Sequence, residues 1–206
     1  MSTSLGGGST AREYHPTCDT GLVPCSGTWN TGPVIKGQDI VLLVHLLAAA
    51  PEWTVRDLAD DLGLGVGPIH RSLGRLAEAC LYDAHRKRVV RSAAAEFLLH
   101  GLRYVFPAQP RGEVRGRPAA WAASPLRELL ADDHPLPPVW PASDGAVRGL
   151  ALEPLHVSAL RAAQADRVTG ERLALLDALR AGDARVRGLA AEHLQVSLDA
   201  PARGSA

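Results

Sequence analysis

Nine of the fifteen prolines in this 206-residue chain fall between residues 107 and 154. Proline has no backbone N–H and a fixed φ, so it interrupts helical ladders and central strands alike. That stretch is therefore expected to wrap a domain surface in short extended pieces, with Trp121 and Trp140 as apolar anchors. Long regular elements are confined to what precedes and follows it. There the apolar residues are mostly Leu, Val and Ala, and the whole chain has only two Phe and one Met. Such a composition favours packed helices over sheets, so the expected fold is mainly α. The chain divides into a flexible arm over 1–35, a helical unit over 36–106, the Pro-rich irregular segment over 107–155, a C-terminal helical region over 156–198 and a tail over 199–206.

Within 36–106 the periodicity predicts a helix over 36–50 with Ile40, Leu43, Val44 and Leu47 on one face, stopped by Pro51. A second helix follows over 55–62. Thr54 is placed to cap it, Asp57 favours its positive end, Trp53 and Leu58 suit a hydrophobic staple, and Gly63 ends it. In the next helix Gly67 is the expected cap and Pro68 the first residue. Ile69, Leu73, Leu76 and Cys80 share one face of it; His70, Arg71, Gly74 and Arg75 lie on or near the other. Leu58, Leu62, Ile69, Leu73 and Leu76 are expected to be buried together, and Cys80 to be a small buried residue. Leu81–His85 and Arg88–Arg91 read as two short strands joined by a basic turn at Arg86 and Lys87. Ser92 then caps a helix carrying Phe97, Leu98, Leu102, Val105 and Phe106. Beyond the prolines, helices are expected over 157–166, 170–181 and 183–197, the last capped by Asp183. Their Leu173, Leu176, Leu179, Val186, Leu189 and Leu194 serve either the chain's own core or a dimer interface.

Formal net charge is zero, yet its distribution is uneven. Residues 51–65 carry Glu52, Asp57, Asp60 and Asp61 against Arg56 alone, whereas 70–91 carry Arg71, Arg75, Arg86, Lys87, Arg88 and Arg91 against Glu78 and Asp83. A phosphate-binding footprint needs a basic face rather than a basic protein.

The run from Trp53 to Leu81, WTVRDLADDLGLGVGPIHRSLGRLAEACL, resembles the winged helix-turn-helix of small bacterial regulators such as the MarR and Lrp families. The resemblance covers about residues 38–92. It implies a winged helix-turn-helix fold with a small β-hairpin wing, a double-stranded DNA partner and a role in transcription regulation. In such a unit one helix braces its neighbour, whose exposed residues enter the major groove. Here His70, Arg71, Ser72 and Arg75 would face bases or nearby phosphates, and Arg86, Lys87, Arg88 and Arg91 would track phosphates or enter the minor groove. Half-sites one helical turn apart imply a homodimer. Two departures stand out: Gly65 and Gly67 replace the Ser or Thr often found there, and Cys80 replaces the Gly that commonly precedes the wing. The alternative is a protein-interaction module, such as an antitoxin or adaptor partner, that uses the same unit to bind protein.

Other classes find little support. There is no Gly-rich phosphate loop, His-Glu zinc pair or nucleophile elbow, and His134, His156 and His193 are scattered singly, so an enzyme is not expected. His15, Cys18 and Cys25 are the only metal candidates; their spacing matches no zinc pattern, and neither metal nor cofactor is assigned. No residue set identifies an effector pocket. The longest apolar run, Ile40–Ala50, is interrupted by His45, falls short of a bilayer span and is read as a buried helix. No secretory signal is read at the N-terminus, and three cysteines without a framework fit a reducing cytoplasm.

Overall fold

The structure is a computed structural model that describes residues 34–49, 52–130 and 136–200. His15, Cys18 and Cys25 lie outside the described residues. At the second helix Thr54 caps as expected, and Asp57 adds a return bond beyond its expected dipole role. Thr54 Oγ1 accepts from the Asp57 N–H at 3.2 Å, and Asp57 Oδ2 accepts from the Thr54 N–H at 2.8 Å. Helix α2 (Val55–Leu62) starts from this reciprocal box and ends at Gly63 in the left-handed conformation, φ 63°.

Helix α1 (Gly37–Ala48) precedes it, and α3 (Val66–Glu78) follows. The α3 start corrects the expectation: Gly65 is the cap, which places Pro68 third in the helix. Its missing N–H is still harmless there, because the first turn has no intrahelical acceptor to meet. Leu58, Leu62, Ile69 and Leu76 are buried; Leu73 is only partly so. Cys80, also half-buried, is disulfide-bonded rather than a small core residue. It takes a φ of 58°, a conformation that suits glycine.

A short antiparallel hairpin follows, β1 (Tyr82–Asp83) against β2 (Arg88–Val89). Its turn is organised by Asp83, whose Oδ1 accepts from the His85 and Arg86 N–H groups, each at 3.0 Å. The next helical stretch runs through α4 (Arg91–Glu96), a π-turn over Phe97–Gly101 and α5 (Leu102–Val105). Val90, not Ser92, precedes its first helical residue.

The Pro-rich segment is more regular than its composition suggests. Strands β3 (Glu113–Pro118), β4 (Pro138–Pro141) and β5 (Val147–Ala151) form a closed set in which each pairs with both others. Proline is accommodated because it sits at strand ends: Pro118 closes β3, and Pro138 and Pro141 bound β4. Glycine allows the tight closure. A Cβ at Gly116 would lie 2.1 Å from the Trp140 carbonyl oxygen, and one at Gly149 would lie 2.0 Å from that of Pro137.

Helices α6 (Ser158–Ala165), α7 (Arg167–Ala181) and α8 (Ala184–Asp199) complete the described chain. Asp183 caps α8 as expected, accepting from the Val186 N–H at 2.8 Å. Residues 172–179 of α7 are all buried, so the leucines considered for a dimer interface mostly fill this chain's own core. Helix α1 is likewise enclosed from Asp39 to Ala48, against α3, α6, α7 and β2, in keeping with the reading of 40–50 as a buried helix and beyond the single apolar face of its periodicity. The strand set docks on α7 through Trp140, whose Nε1 donates to Asp177 Oδ2 at 2.5 Å. Arg180 Nη1 donates to Asp177 Oδ1 at 2.5 Å and its Nε to the Phe106 carbonyl at 2.7 Å. Burial holds the Asp177 carboxyl above the ordinary aspartate range, against the pull of Arg180 and Trp140.

Two outcomes follow from these contacts. Trp140→Phe keeps an aromatic ring but removes the indole N–H, stripping a buried carboxylate oxygen of its donor, and is expected to cost at least about 1–3 kcal/mol in urea unfolding. His156, between β5 and α6, is held below the ordinary histidine value by burial, with Asp39 opposing. The unfolded chain therefore takes up this proton first as pH falls, so the contribution is full above the ordinary histidine value and lost below it. Urea midpoints measured over about pH 5–7 should decline toward acid, and His156→Gln should flatten that decline.

Candidate nucleic-acid interface

Helix periodicity splits α3 into two faces with different fates. Inward, Ser72 has no solvent exposure and Arg75 is half-buried. Arg75 Nε donates to Asp39 Oδ2 at 2.7 Å and its Nη2 to Asp39 Oδ1 at 2.5 Å, a two-pronged ion pair with a fully buried carboxylate on α1. Asp39 Oδ2 also accepts from the Lys36 N–H at 2.8 Å, closing the start of α1. Ser72 Oγ accepts from Gln38 Nε2 at 2.9 Å and from Arg75 Nη2 at 3.2 Å. These bonds lock α3 onto α1 in one rotation. Both Ser72 and Arg75, expected among the base-facing residues, are thus turned inward. Gln38 and Asp39 were not singled out from sequence; the signal available was an acid set into the first turn of an otherwise apolar run.

Outward, His70, Arg71, Gly67 and Gly74 are exposed. Val66 joins them at 44% exposure. The Arg71 guanidinium lies back over Gly67: a Cβ placed there would be 3.4 Å from its Nη1. At Gly74 a Cβ would meet nothing within 4 Å, so the ridge of the helix is open there.

The hairpin supplies the second group of cations. Arg86, Lys87 and Arg88 are all exposed. Lys87 occupies the left-handed region at φ 50°, which turns the chain sharply at the tip. Arg86 Nη1 lies 3.6 Å from Asp83 Oδ2, a long pairing between an exposed guanidinium and a largely buried carboxylate. The Arg86 N–H holds the Asp83 carboxyl below the ordinary aspartate range, with the His85 N–H and nearby arginines adding to it. Arg91, grouped with these cations from sequence, is used differently. Its Nη2 donates to the Leu198 carbonyl and, at 2.8 Å, to that of Ala200, at the end of α8.

The acidic residues of α2 are mostly engaged. Asp57 is bound to the Thr54 N–H, which lowers its pKa. Asp61 Oδ2 lies 3.1 Å from His45 Nε2, and His45 Nδ1 lies 3.1 Å from Thr169 Oγ1 of α7. A buried imidazole thus joins α1, α2 and α7. Among the described residues no group of three His, Cys, Asp or Glu side chains is arranged to hold a metal ion, and no helix is long and apolar enough to cross a membrane.

Compared with family models, with curated proteins and with solved structures, the chain matches none of them.

Arg75→Leu removes one partner of a buried ion pair, and is expected to destabilise the fold by about 3–5 kcal/mol in denaturant unfolding. Pairing it with Asp39→Leu should recover much of that loss, because no buried charge is then left alone.

Proposed function

We propose that this chain is a sequence-specific double-stranded DNA-binding transcriptional regulator of the winged helix-turn-helix kind. In this reading α3 enters the major groove and the β1–β2 hairpin is the wing. The observation that carries it is the two-faced helix α3. One face is clamped to α1 by Asp39, while the other presents His70 and Arg71 to solvent, and the next element in the chain displays Arg86, Lys87 and Arg88. Clamping matters because base readout needs a side chain on a backbone of fixed rotation. Arg71 is the base reader, since a guanidinium can hold guanine through two hydrogen bonds. Val66 supplies apolar contact suited to a thymine methyl. The hairpin cations are flexible and exposed, which suits phosphate contacts that set position without reading sequence.

Binding titrations on selected and scrambled duplexes at several salt concentrations test this directly. Arg71→Ala should cost about 1–3 kcal/mol on the selected site and little on the scrambled one. Lys87→Ala should weaken both alike and lower the salt slope by about one. Parental binding by both variants would rule out this face as the DNA surface.

A further inference from the structure

The last turn of α8 collects two guanidiniums. Arg172 reaches it from α7: its Nε donates to Ser197 Oγ at 2.9 Å and its Nη2 to the Ser197 carbonyl. Arg91, the first residue of α4, reaches it from the hairpin side through the Leu198 and Ala200 carbonyls. Carbonyls at a helix end offer partial negative charge, which favours both cations but neutralises neither. Arg172 stands out because it is only 3% exposed. A buried guanidinium is ordinarily matched by a carboxylate. Among the described residues no carboxylate bonds to this one. Asp166 acts on it only through space, and Asp199, the acid that ends α8, is engaged by Gln195 at 3.0 Å. Burial, with the repulsion of Arg91 added, pulls the Arg172 guanidinium down to about 10.

The Arg172 guanidinium is used on one edge only. Nε and Nη2 are committed to Ser197, while Nη1 is buried with no hydrogen-bond partner among the described residues. Ser197 Oγ, having accepted from Nε, still has its own proton to donate. Arg91 spends only Nη2 on the carbonyls and keeps its other N–H groups. A ligand that answers these groups accepts several hydrogen bonds and carries enough negative charge for two cations. A carboxylate carries one charge. The phosphates of a duplex also carry one each, and its width keeps them from an interior side chain of α7. A phosphate group with three free oxygens carries about two at neutral pH. We propose that Arg172, Arg91 and Ser197 form a site for such a group, that of inorganic phosphate or of a small phosphate monoester. The exposed Arg91 side chain admits it by swinging away from the α8 carbonyls. Neither α3 nor the hairpin tip takes part, and the test uses no DNA, so this site and the DNA reading stand or fall separately.

Calorimetric titration of the full chain with inorganic phosphate at constant ionic strength, up to about 10 mM, is the direct experiment. Glycerol 3-phosphate and glucose 6-phosphate form the monoester arm. Saturable binding of at least one of the three is expected, and the bound ion should raise the urea midpoint. Tighter binding of a monoester assigns the site to a phosphorylated small molecule; tighter binding of inorganic phosphate assigns it to the free ion. Arg172→Met should abolish both the heat of binding and the shift in midpoint. Arg91→Gln should weaken binding at least about tenfold. Being at an exposed residue, it decides the matter if Arg172→Met does not fold. Absence of saturable binding by all three probes at that concentration, or undiminished binding by either variant, overturns the proposal.

Discussion

Asp39 is a carboxylate with no solvent exposure, and its charge is answered from two directions. The Lys36 N–H ties it to the start of its own helix, and the Arg75 guanidinium ties it to α3. An unpaired buried carboxylate costs several kcal/mol, so alternative rotations of α3 that lose Arg75 are excluded energetically. Once Arg75 and Ser72 point at α1, the 3.6-residue period obliges His70 and Gly74 to point away from it, while Arg71, one turn before Arg75, falls at the margin and is exposed. The outer face of α3 is thus set by an interaction on its inner face. Hydrophobic contacts alone would hold the helix against α1 with less preference for one rotation, because they are not directional.

Much of the first half of the chain was legible because its signals are local. A threonine three residues before an aspartate, a glycine after the last apolar position and a short apolar–basic–apolar stretch each act within a few residues of where they stand. The Thr54 cap, the Gly63 cap and the presence of a hairpin conform, although its strands, Tyr82–Asp83 and Arg88–Val89, are shorter than the spans of Leu81–His85 and Arg88–Arg91. Arg75 and Ser72 were misjudged because their partners, Asp39 and Gln38, lie more than thirty residues away. On a helical wheel an arginine near the polar face looks exposed; only the position of α1 makes it half-buried. Leu73 erred in the opposite direction for the same kind of reason, an apolar residue at the margin of the packed stripe.

The Pro-rich segment shows a different limit. Proline density ruled out long elements correctly, but it was silent about short ones that use proline only where the ladder ends. The informative residues were the glycines at 116 and 149, where neighbouring backbone approaches closer than any side chain permits. Spacing between distant glycines has no periodic signature, so such a closure is invisible to pattern reading. A groove between the three strands and the α6–α7 pair escaped notice likewise, since its residues come from β3, a short turn, β4, α6 and α7.

The enclosure of α1 bears on inheritance. Its apolar residues meet α3 on one side and α6 and α7 on the other, and a single buried cluster runs from Ile40 to Leu198. A helix-turn-helix unit with a clean boundary can be copied by recombination onto unrelated partners. Here the first 70 or so described residues share their central helix with the last 40, so a gene fragment encoding only the former would carry an open apolar wall. A cut between those two parts would therefore expose the shared core, whereas changes on the exposed face of α3 leave it closed.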